Sequence, residues 1–204
     1  MRKIFQAEAW RVAALEKKCV ELCDDVVMVS GEEAAVLGEN IANLHVVSNG
    51  VDAEFFSPSL VSPEPGLGEH AIVFTGSMDY KPNAEAVEWF ATEAFYEIRK
   101  EIPTACFVIV GRNPTKRVRD LASLDGVLVT GSVVDVRPYL QAAAVCVCPL
   151  HIGRGIQNKV LEAMAMERAV VVSPSAMSGL DIVPGINVEL AENSGQWVEK
   201  LIYL

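Results

Sequence analysis

Residues 71–114 read AIVFTGSMDYKPNAEAVEWFATEAFYEIRKEIPTACFVIVGRNP. A wholly apolar run (71–75) leads to a glycine-headed polar turn, then a long stretch at helical spacing, then a second apolar run (105–110) and a second glycine-headed turn (111–114). A strand that is apolar at every position has to be covered on both faces, which is the condition of strands in a parallel sheet. The unit recurs downstream. A strand at 127–129 is followed by a turn at 130–135 and a helix at 136–143; AVCVC at 144–148 is followed by a loop at 149–156 and a helix at 157–167; AVVVS at 169–173 makes a further strand. With helices at 84–100 and 115–123, the pattern predicts a doubly wound α/β domain with a parallel sheet. Ligands of such sheets sit beyond the carboxyl ends of the strands, so the loops at 75–82, 110–116, 130–136 and 149–159 are those to read for chemistry.

Upstream, the spacing of Phe5, Ala9, Val12 and Leu15 predicts an amphipathic helix over residues 4–22 that lays this stripe against the strand 24–30. Ser30 with Glu33 three residues later has the form of a capping box opening a second helix, and LHVVSNGVD (44–52) reads as a strand entering an Asn-Gly turn. Residues 57–70 carry Pro58, Pro63, Pro65, Gly66 and Gly68 without helical periodicity, which marks a linker. The expected division is therefore 1–56, linker 57–70 and a main domain 71–204.

The 204 residues are about half apolar, enough for a sizeable core, and carry a formal net charge of −10. That charge argues against a general grip on nucleic acid or on an anionic membrane surface, so an anionic ligand has to be met by local cations. No apolar run approaches the roughly 20 residues of a membrane span, and a cytoplasmic location is expected. Five cysteines without paired CxxC spacing read as reduced, buried thiols. His45, His70 and His151 are isolated along the chain, so no metal site is expected and no catalytic residue is assigned.

In the first loop, Lys81 supplies a cation before a helix start at Pro82; in the second, Arg112 follows Gly111 and offers a forked guanidinium that can clamp phosphate. In the third, Asp135 reads as the N-cap of helix 136–143, while the backbone of Val133, Val134, Asp135 and Val136 can edge a nucleobase. The fourth is the strongest anion site. Gly153 and Gly155 expose backbone N–H groups, the helix opening near Gln157 presents its positive end, and Arg154 and Lys159 add full charges. Glu162 stands about 7 Å along the axis from that start, close to the separation between a diphosphate and its own ribose. A carboxylate accepts two hydrogen bonds side by side, which suits vicinal hydroxyls; the alternative is an i,i+3 ion pair of Glu162 with Lys159.

Five segments in this order, VVSNGVDAEFFSP (46–58), FTGSMDYKPNAEAVEWF (74–90), VIVGRNPTKRVRDLA (108–122), VTGSVVDVRPYL (129–140) and GRGIQNKVLEAMAMERAVVVSP (153–174), resemble glycosyltransferase family 4, and within it the sugar transferases of bacterial exopolysaccharide systems. The resemblance implies a GT-B fold: two Rossmann-like domains, a nucleotide-sugar donor held by the C-terminal one, and metal-free transfer that retains anomeric configuration. By it, Lys81, Arg112 and Lys159 meet the donor diphosphate, and Gly155, Ile156 and Gln157 form the backbone cradle for phosphate. Glu162 is similar to the second glutamate of an E-x7-E motif, which binds the ribose. Arg154 stands where many relatives have the first glutamate, near the transferred sugar, and is the sugar-contact candidate. Glu167 and Ala169 stand where relatives usually have Gly and Pro.

On this resemblance residues 1–56 are the remnant of an N-terminal domain, the main domain is cut short at its C-terminus, and the fragment binds a nucleoside-diphosphate sugar without turnover. Expected partners are the nucleotide-sugar donor, a glycan or lipid-linked acceptor, the missing N-terminal domain and a second copy meeting exposed apolar surface. The full enzyme is expected to be cytoplasmic, including a peripheral position at the inner membrane. The alternatives are a non-catalytic nucleotide-binding or oligomerising module and another GT-B activity such as nucleotide-sugar epimerisation.

Overall fold

A computed structural model describes residues 2–153 and 155–204; Arg154 lies outside the described residues. The chain opens with α1 (Arg2–Leu22), β1 (Val26–Met28), α2 (Gly31–Leu37) and β2 (Leu44–Val46), with β1 and β2 paired in parallel. The capping expectation is met: Ser30 is the N-cap of α2, and its hydroxyl accepts the Glu33 N–H at 3.2 Å. The stripe on α1 is not buried as expected. Phe5, Val12 and Leu15 are exposed, and the strand that was to cover them is three residues long. The helix is held at its C-terminal end instead, where Asn43 Nδ2 donates to the carbonyls of Val20 (3.0 Å) and Cys23 (2.9 Å).

The main domain contains β3 (Ala71–Thr75), α3 (Lys81–Trp89), α4 (Phe95–Glu101), β4 (Cys106–Val110), α5 (Lys116–Asp120) and β5 (Val127–Gly131). It continues with α6 (Arg137–Ala142), β6 (Val145–Cys148), α7 (Asn158–Ala165), β7 (Ala169–Val172), α8 (Pro174–Met177), β8 (Glu189–Leu190) and α9 (Ser194–Tyr203). The six strands are all parallel, in the order β5-β4-β3-β6-β7-β8. Winding runs outward from β3 through β4 to β5, then returns to the other side of β3 with β6. That reversal opens a crevice at the carboxyl ends of β3 and β6, the place where doubly wound sheets bind ligands.

Alternation along each strand fills two cores, as a sheet covered on both faces requires. Phe74, Phe107, Ile109 and Val147 pack with Phe90, Phe95 and Ile98 of the α3–α4 region and with Trp197 of α9. Val73, Val108, Cys146 and Cys148 pack with Leu140 of α6 and with Val160 and Ala163 of α7. Residues 90–94 between α3 and α4 form a π-helical turn, so one long helix carries a local widening within it. The linker is not free: Leu67 is buried, and the Glu64 N–H donates to the Pro138 carbonyl at 2.9 Å.

All five cysteines are free thiols, but Cys19 and Cys23 are exposed, against expectation, because α1 has no cover. Burial pushes the thiols of Cys146 and Cys148 up to about 12 and about 11, which leaves them protonated and unreactive.

The end of α7 explains a departure noted in the sequence. The Arg168 N–H donates to the Ala163 carbonyl (3.0 Å) and the Glu167 N–H to the Met164 carbonyl (2.9 Å), the two bonds of a Schellman motif. The residue between α7 and β7 is thereby forced to a left-handed φ of 56°, and it is Glu167 rather than glycine. A left-handed non-glycine residue costs roughly 1–2 kcal/mol. Glu167→Gly is therefore expected to stabilise the chain by about 1 kcal/mol in urea denaturation, the offset being glycine's greater freedom when unfolded. A loss of stability would contradict the assigned cap.

Candidate functional site

Three loops and the start of α7 converge on a cleft of about 510 Å³ at the crevice. Thr75, Gly76 and Ser77 come from the end of β3, Gly111 and Arg112 from the end of β4, Ser132, Val133 and Val136 from beyond β5, and Asn158, Lys159 and Glu162 from α7. Closure of the first two loops depends on glycine: a Cβ on Gly111 would lie 1.6 Å from the Gly76 carbonyl oxygen. The Gly76 N–H donates to the Val110 carbonyl and the Met78 N–H to the Arg112 carbonyl, so the loops continue the sheet pairing beyond the strands.

The charged groups in this cleft are notable for what they do not pair with. Lys159 Nζ donates to Asn83 Oδ1 at 2.7 Å and lies 4.1 Å from the centroid of the Phe74 ring, and it forms no ion pair among the described residues. Burial pulls its pKa below the usual lysine value, while Cys148 and Glu162 act in the opposite sense. Glu162, half-buried, has its pKa raised, first by burial, with Lys159 opposing. The i,i+3 ion pair is not formed, and among the described residues the Glu162 carboxylate has no hydrogen-bond partner. Arg112 is likewise without a carboxylate partner; its Nε donates to Ser77 Oγ at 3.1 Å.

The sequence-derived candidates divide accordingly. Arg112, Lys159, Glu162, Val133 and Val136 line one cleft. Lys81 does not: it is exposed at the start of α3, with its ammonium 3.5 Å from Glu85 at i,i+4. Gly155, Ile156 and Gln157 precede α7 and are not part of the cleft wall. A Cβ on Gly155 would come within 3.4 Å of Glu33 Oε1, and one on Gly179 within 3.0 Å of Ile156 Cγ1, so the loop packs towards α2 and the turn after α8. Val134 is fully exposed. Asp135 is not the N-cap of α6; Val136 is. The Asp135 carboxylate accepts the Arg137 N–H (2.9 Å) and grips the Arg137 guanidinium, which lowers its pKa and leaves it committed to that arginine. Arg137 also donates to the Phe55 carbonyl (2.9 Å) and stacks on the Phe55 ring (3.6 Å), tying the junction to α6.

Sequence reasoning missed Ser77, Asn83 and Asn158. Asn83 is buried, and besides holding Lys159 it donates to the Ser77 carbonyl at 3.0 Å, joining α3, the first loop and α7. Asn158 Oδ1 accepts from Asn49 Nδ2 at 2.9 Å, across from the segment after β2. The one available signal for Asn83 was its place directly after Pro82 at a helix start, where a buried amide has no role in capping.

The raised Glu162 pKa has a consequence for stability. The native state holds this proton more tightly than the unfolded state, so stability falls as pH rises from the ordinary carboxylate value to the folded-state value and stays reduced above it. Glu162→Gln is therefore expected to melt about 2 °C higher than the unsubstituted chain at pH 7, with the difference closing below the ordinary carboxylate range. Melting curves between pH 4 and 8 check this; a difference independent of pH would contradict it.

No curated protein matches the chain. Solved structures share its fold at low identity. TarM superposes with a TM-score of 0.69 at 19% identity over 93% of this chain and 38% of its own. Anabaena HepE in complex with UDP and glucose gives 0.69 at 14% identity over 94% and 57%. The C-terminal domain of a glycosyl transferase group 1 family protein (LpcC) from Francisella tularensis gives 0.56 at 22% identity over 76% and 87%. The chain thus spans 38% of TarM and 57% of HepE. These likenesses establish the Rossmann-like parallel fold of GT-B glycosyltransferases. The family model described as glycosyl transferases group 1 matches residues 69–204, from the linker's end through α9, and the chain belongs to that family.

Proposed function

We propose that the cleft is the donor site of a retaining glycosyltransferase of family 4, and that the enzyme moves a sugar from a nucleoside diphosphate to a glycan or lipid-linked acceptor in exopolysaccharide assembly. The observation that carries this reading is the set of unpaired charges at the strand-order reversal. Arg112 and Lys159, two cations without a carboxylate, and Glu162, a carboxylate without a hydrogen-bond partner among the described residues, line one cavity. Arg112 is exposed, but Lys159 and Glu162 are partly desolvated, and leaving such charges unpaired is unfavourable unless a ligand completes them. A diphosphate satisfies the cations, and a ribose diol satisfies the carboxylate. The start of α7 has no side-chain cap, so its first N–H groups also remain for a phosphate oxygen.

In the reaction, the bond from the sugar's anomeric carbon to the diphosphate oxygen breaks and the pair of electrons leaves with the diphosphate. The acceptor hydroxyl forms the new bond and gives up its proton. Negative charge grows on the leaving oxygens, and Arg112 and Lys159, which line the cleft, are the cations that would stabilise it on this metal-free reading. The walls formed by Val133 and Val136 offer apolar contact and backbone edges to the base. The chain binds the nucleotide-sugar donor, and the enzyme works in the cytoplasm or at the inner face of the membrane. UDP is the first nucleotide to test, since a variant of S. aureus TarM and Anabaena HepE were both crystallised with it.

Calorimetric titration of the chain with UDP, GDP and inorganic pyrophosphate tests the reading. A nucleoside diphosphate is expected to bind tighter than pyrophosphate, and Glu162→Ala to erase about tenfold of that advantage by removing charge-assisted bonds to the ribose. A folded chain that binds neither nucleotide would sink the donor-site assignment.

A further inference from the structure

We propose that Asp79 is a positioning residue for the donor diphosphate, acting through Ser77 to hold the Arg112 guanidinium over the cleft; the proposal rests on the donor-site reading above. Ser77 Oγ donates its single proton to Asp79 Oδ1 at 2.6 Å. A serine hydroxyl has one donor and two acceptor sites, so the Ser77 oxygen can offer Arg112 only a lone pair, and Arg112 Nε donates to it at 3.1 Å. The other carboxylate oxygen, Asp79 Oδ2, accepts from Asn113 Nδ2 at 2.9 Å. Asn113 takes a left-handed φ of 54°, a conformation asparagine tolerates, and this brings its amide back to the first loop.

The backbone of Arg112 is thus held on both sides, and its guanidinium is anchored at Nε. Gly111 before it packs on the Gly76 carbonyl, its own carbonyl accepts the Met78 N–H at 2.8 Å, Asn113 after it is bound to Asp79, and its Nε is bound to Ser77. The four N–H donors of its two Nη groups have no partner among the described residues.

The comparison within the chain is instructive. Arg99, Arg117 and Arg137 meet Asp125, Glu88 and Asp135 directly through Nη2, which uses the end of the fork that binds a carboxylate or phosphate. Asp79 forms no direct ion pair with Arg112. The interposed hydroxyl lets a carboxylate orient the arginine at Nε while the terminal fork stays open to a second anion. Hydrogen bonds in series polarise one another, so the Ser77 oxygen becomes a better acceptor because Asp79 takes its proton. The Asp79 carboxylate is held below its usual pKa, first by the Ser77 hydroxyl and then by the Asn113 amide, and it stays ionised at neutral pH. Asp79 is exposed and Ser77 half-buried, and the buried side chain of this turn is that of Met78 between them, so substitution at 77 or 79 removes no core side chain.

Titrations of the chain with UDP and with inorganic pyrophosphate test the link. Asp79→Ala and Ser77→Ala are each expected to weaken both probes about tenfold, the cost of losing a pre-organised clamp. Asp79→Asn, which keeps an acceptor for the Ser77 hydroxyl, is expected to recover most of that loss. In an Arg112→Ala background, Asp79→Ala should add nothing further, because the two residues act as one unit. An undiminished tenfold loss in that background, or unchanged affinity in Asp79→Ala itself, would overturn the proposal. The donor-site reading fails differently: then Glu162→Ala would weaken UDP no more than pyrophosphate, or the unsubstituted chain would bind neither, and the proposal would fall with it.

Discussion

The carbonyl oxygen of Gly76 occupies the space that any side chain at position 111 would need. Because residue 111 is glycine, the ends of β3 and β4 approach closely enough for pairing to continue past both strands, through Gly76 to Val110 and Met78 to Arg112. That continuation turns two ordinary βα turns into one rigid shelf. Arg112 stands on it facing β6 and α7, and the shelf lies where the strand order reverses. An alanine at 111 would have to push the loops apart, and the guanidinium, the Ser77 hydroxyl and the Asn83 amide would lose their common frame. The cleft therefore depends on a backbone contact, and the charges are placed by it.

Placing those charges has a cost that the fold accepts locally. Lys159 is pulled below its usual pKa and Glu162 pushed above its own, both mainly by burial, although the two lie on neighbouring turns of α7 and could have neutralised each other. Lys159 turns instead to Asn83 and the Phe74 face, a neutral amide and an aromatic quadrupole. These partners steady an ammonium without cancelling its charge. The same logic separates Asp79 from Arg112 by a hydroxyl. Other cations of the chain pair directly with carboxylates, as Lys200 does with Glu189 and Arg137 with Asp135, while Arg119 and Arg168 donate to backbone carbonyls. On the proposed reading, a site that tolerates unpaired charge amid an acidic chain of net −10 would take its anion from outside.

Much of this was legible in the sequence for a physical reason: strands apolar at every position admit only a sheet covered on both faces, and the helices between them had to be crossovers. The apolar runs of β3, β4, β6 and β7 mark their strands to within a residue or two. The regular order failed where the signal is short or borrowed. β8 is two residues, Glu189 and Leu190, with no period to detect, and it exists because β7 offers it an edge. The stripe on α1 obeys helical spacing yet stays exposed, since periodicity reports which face is apolar and says nothing about what covers it. Of the residues that line the cleft, Arg112, Lys159 and Glu162 were legible because charges in and just after glycine-bearing βα loops are conspicuous. Asn83 was not, because a neutral amide two residues into a helix looks like any other polar residue until its two partners come from elements distant in the chain. Lys81 misled for the opposite reason: it is a cation in the right loop, but at i,i+4 from Glu85 it has a partner on its own helix.

Asp135 shows how a local grip redistributes roles across a loop. Once its carboxylate is closed on Arg137, it is unavailable to a ligand, and the arginine is free to act at a distance, on the ring and carbonyl of Phe55. The loop after β5 is in this way braced against the junction, and Val133 and Val136 are left to face the cleft with side chains that cannot hydrogen-bond. A base held there would be read by shape and by backbone groups, while the cations and Glu162 hold the parts of a nucleotide that do not vary with the base. On the proposed reading, discrimination between bases would rest on the course of the main chain through residues 132–136, which the Asp135–Arg137 grip braces. A charge that never touches the nucleotide would thus set which nucleotide fits.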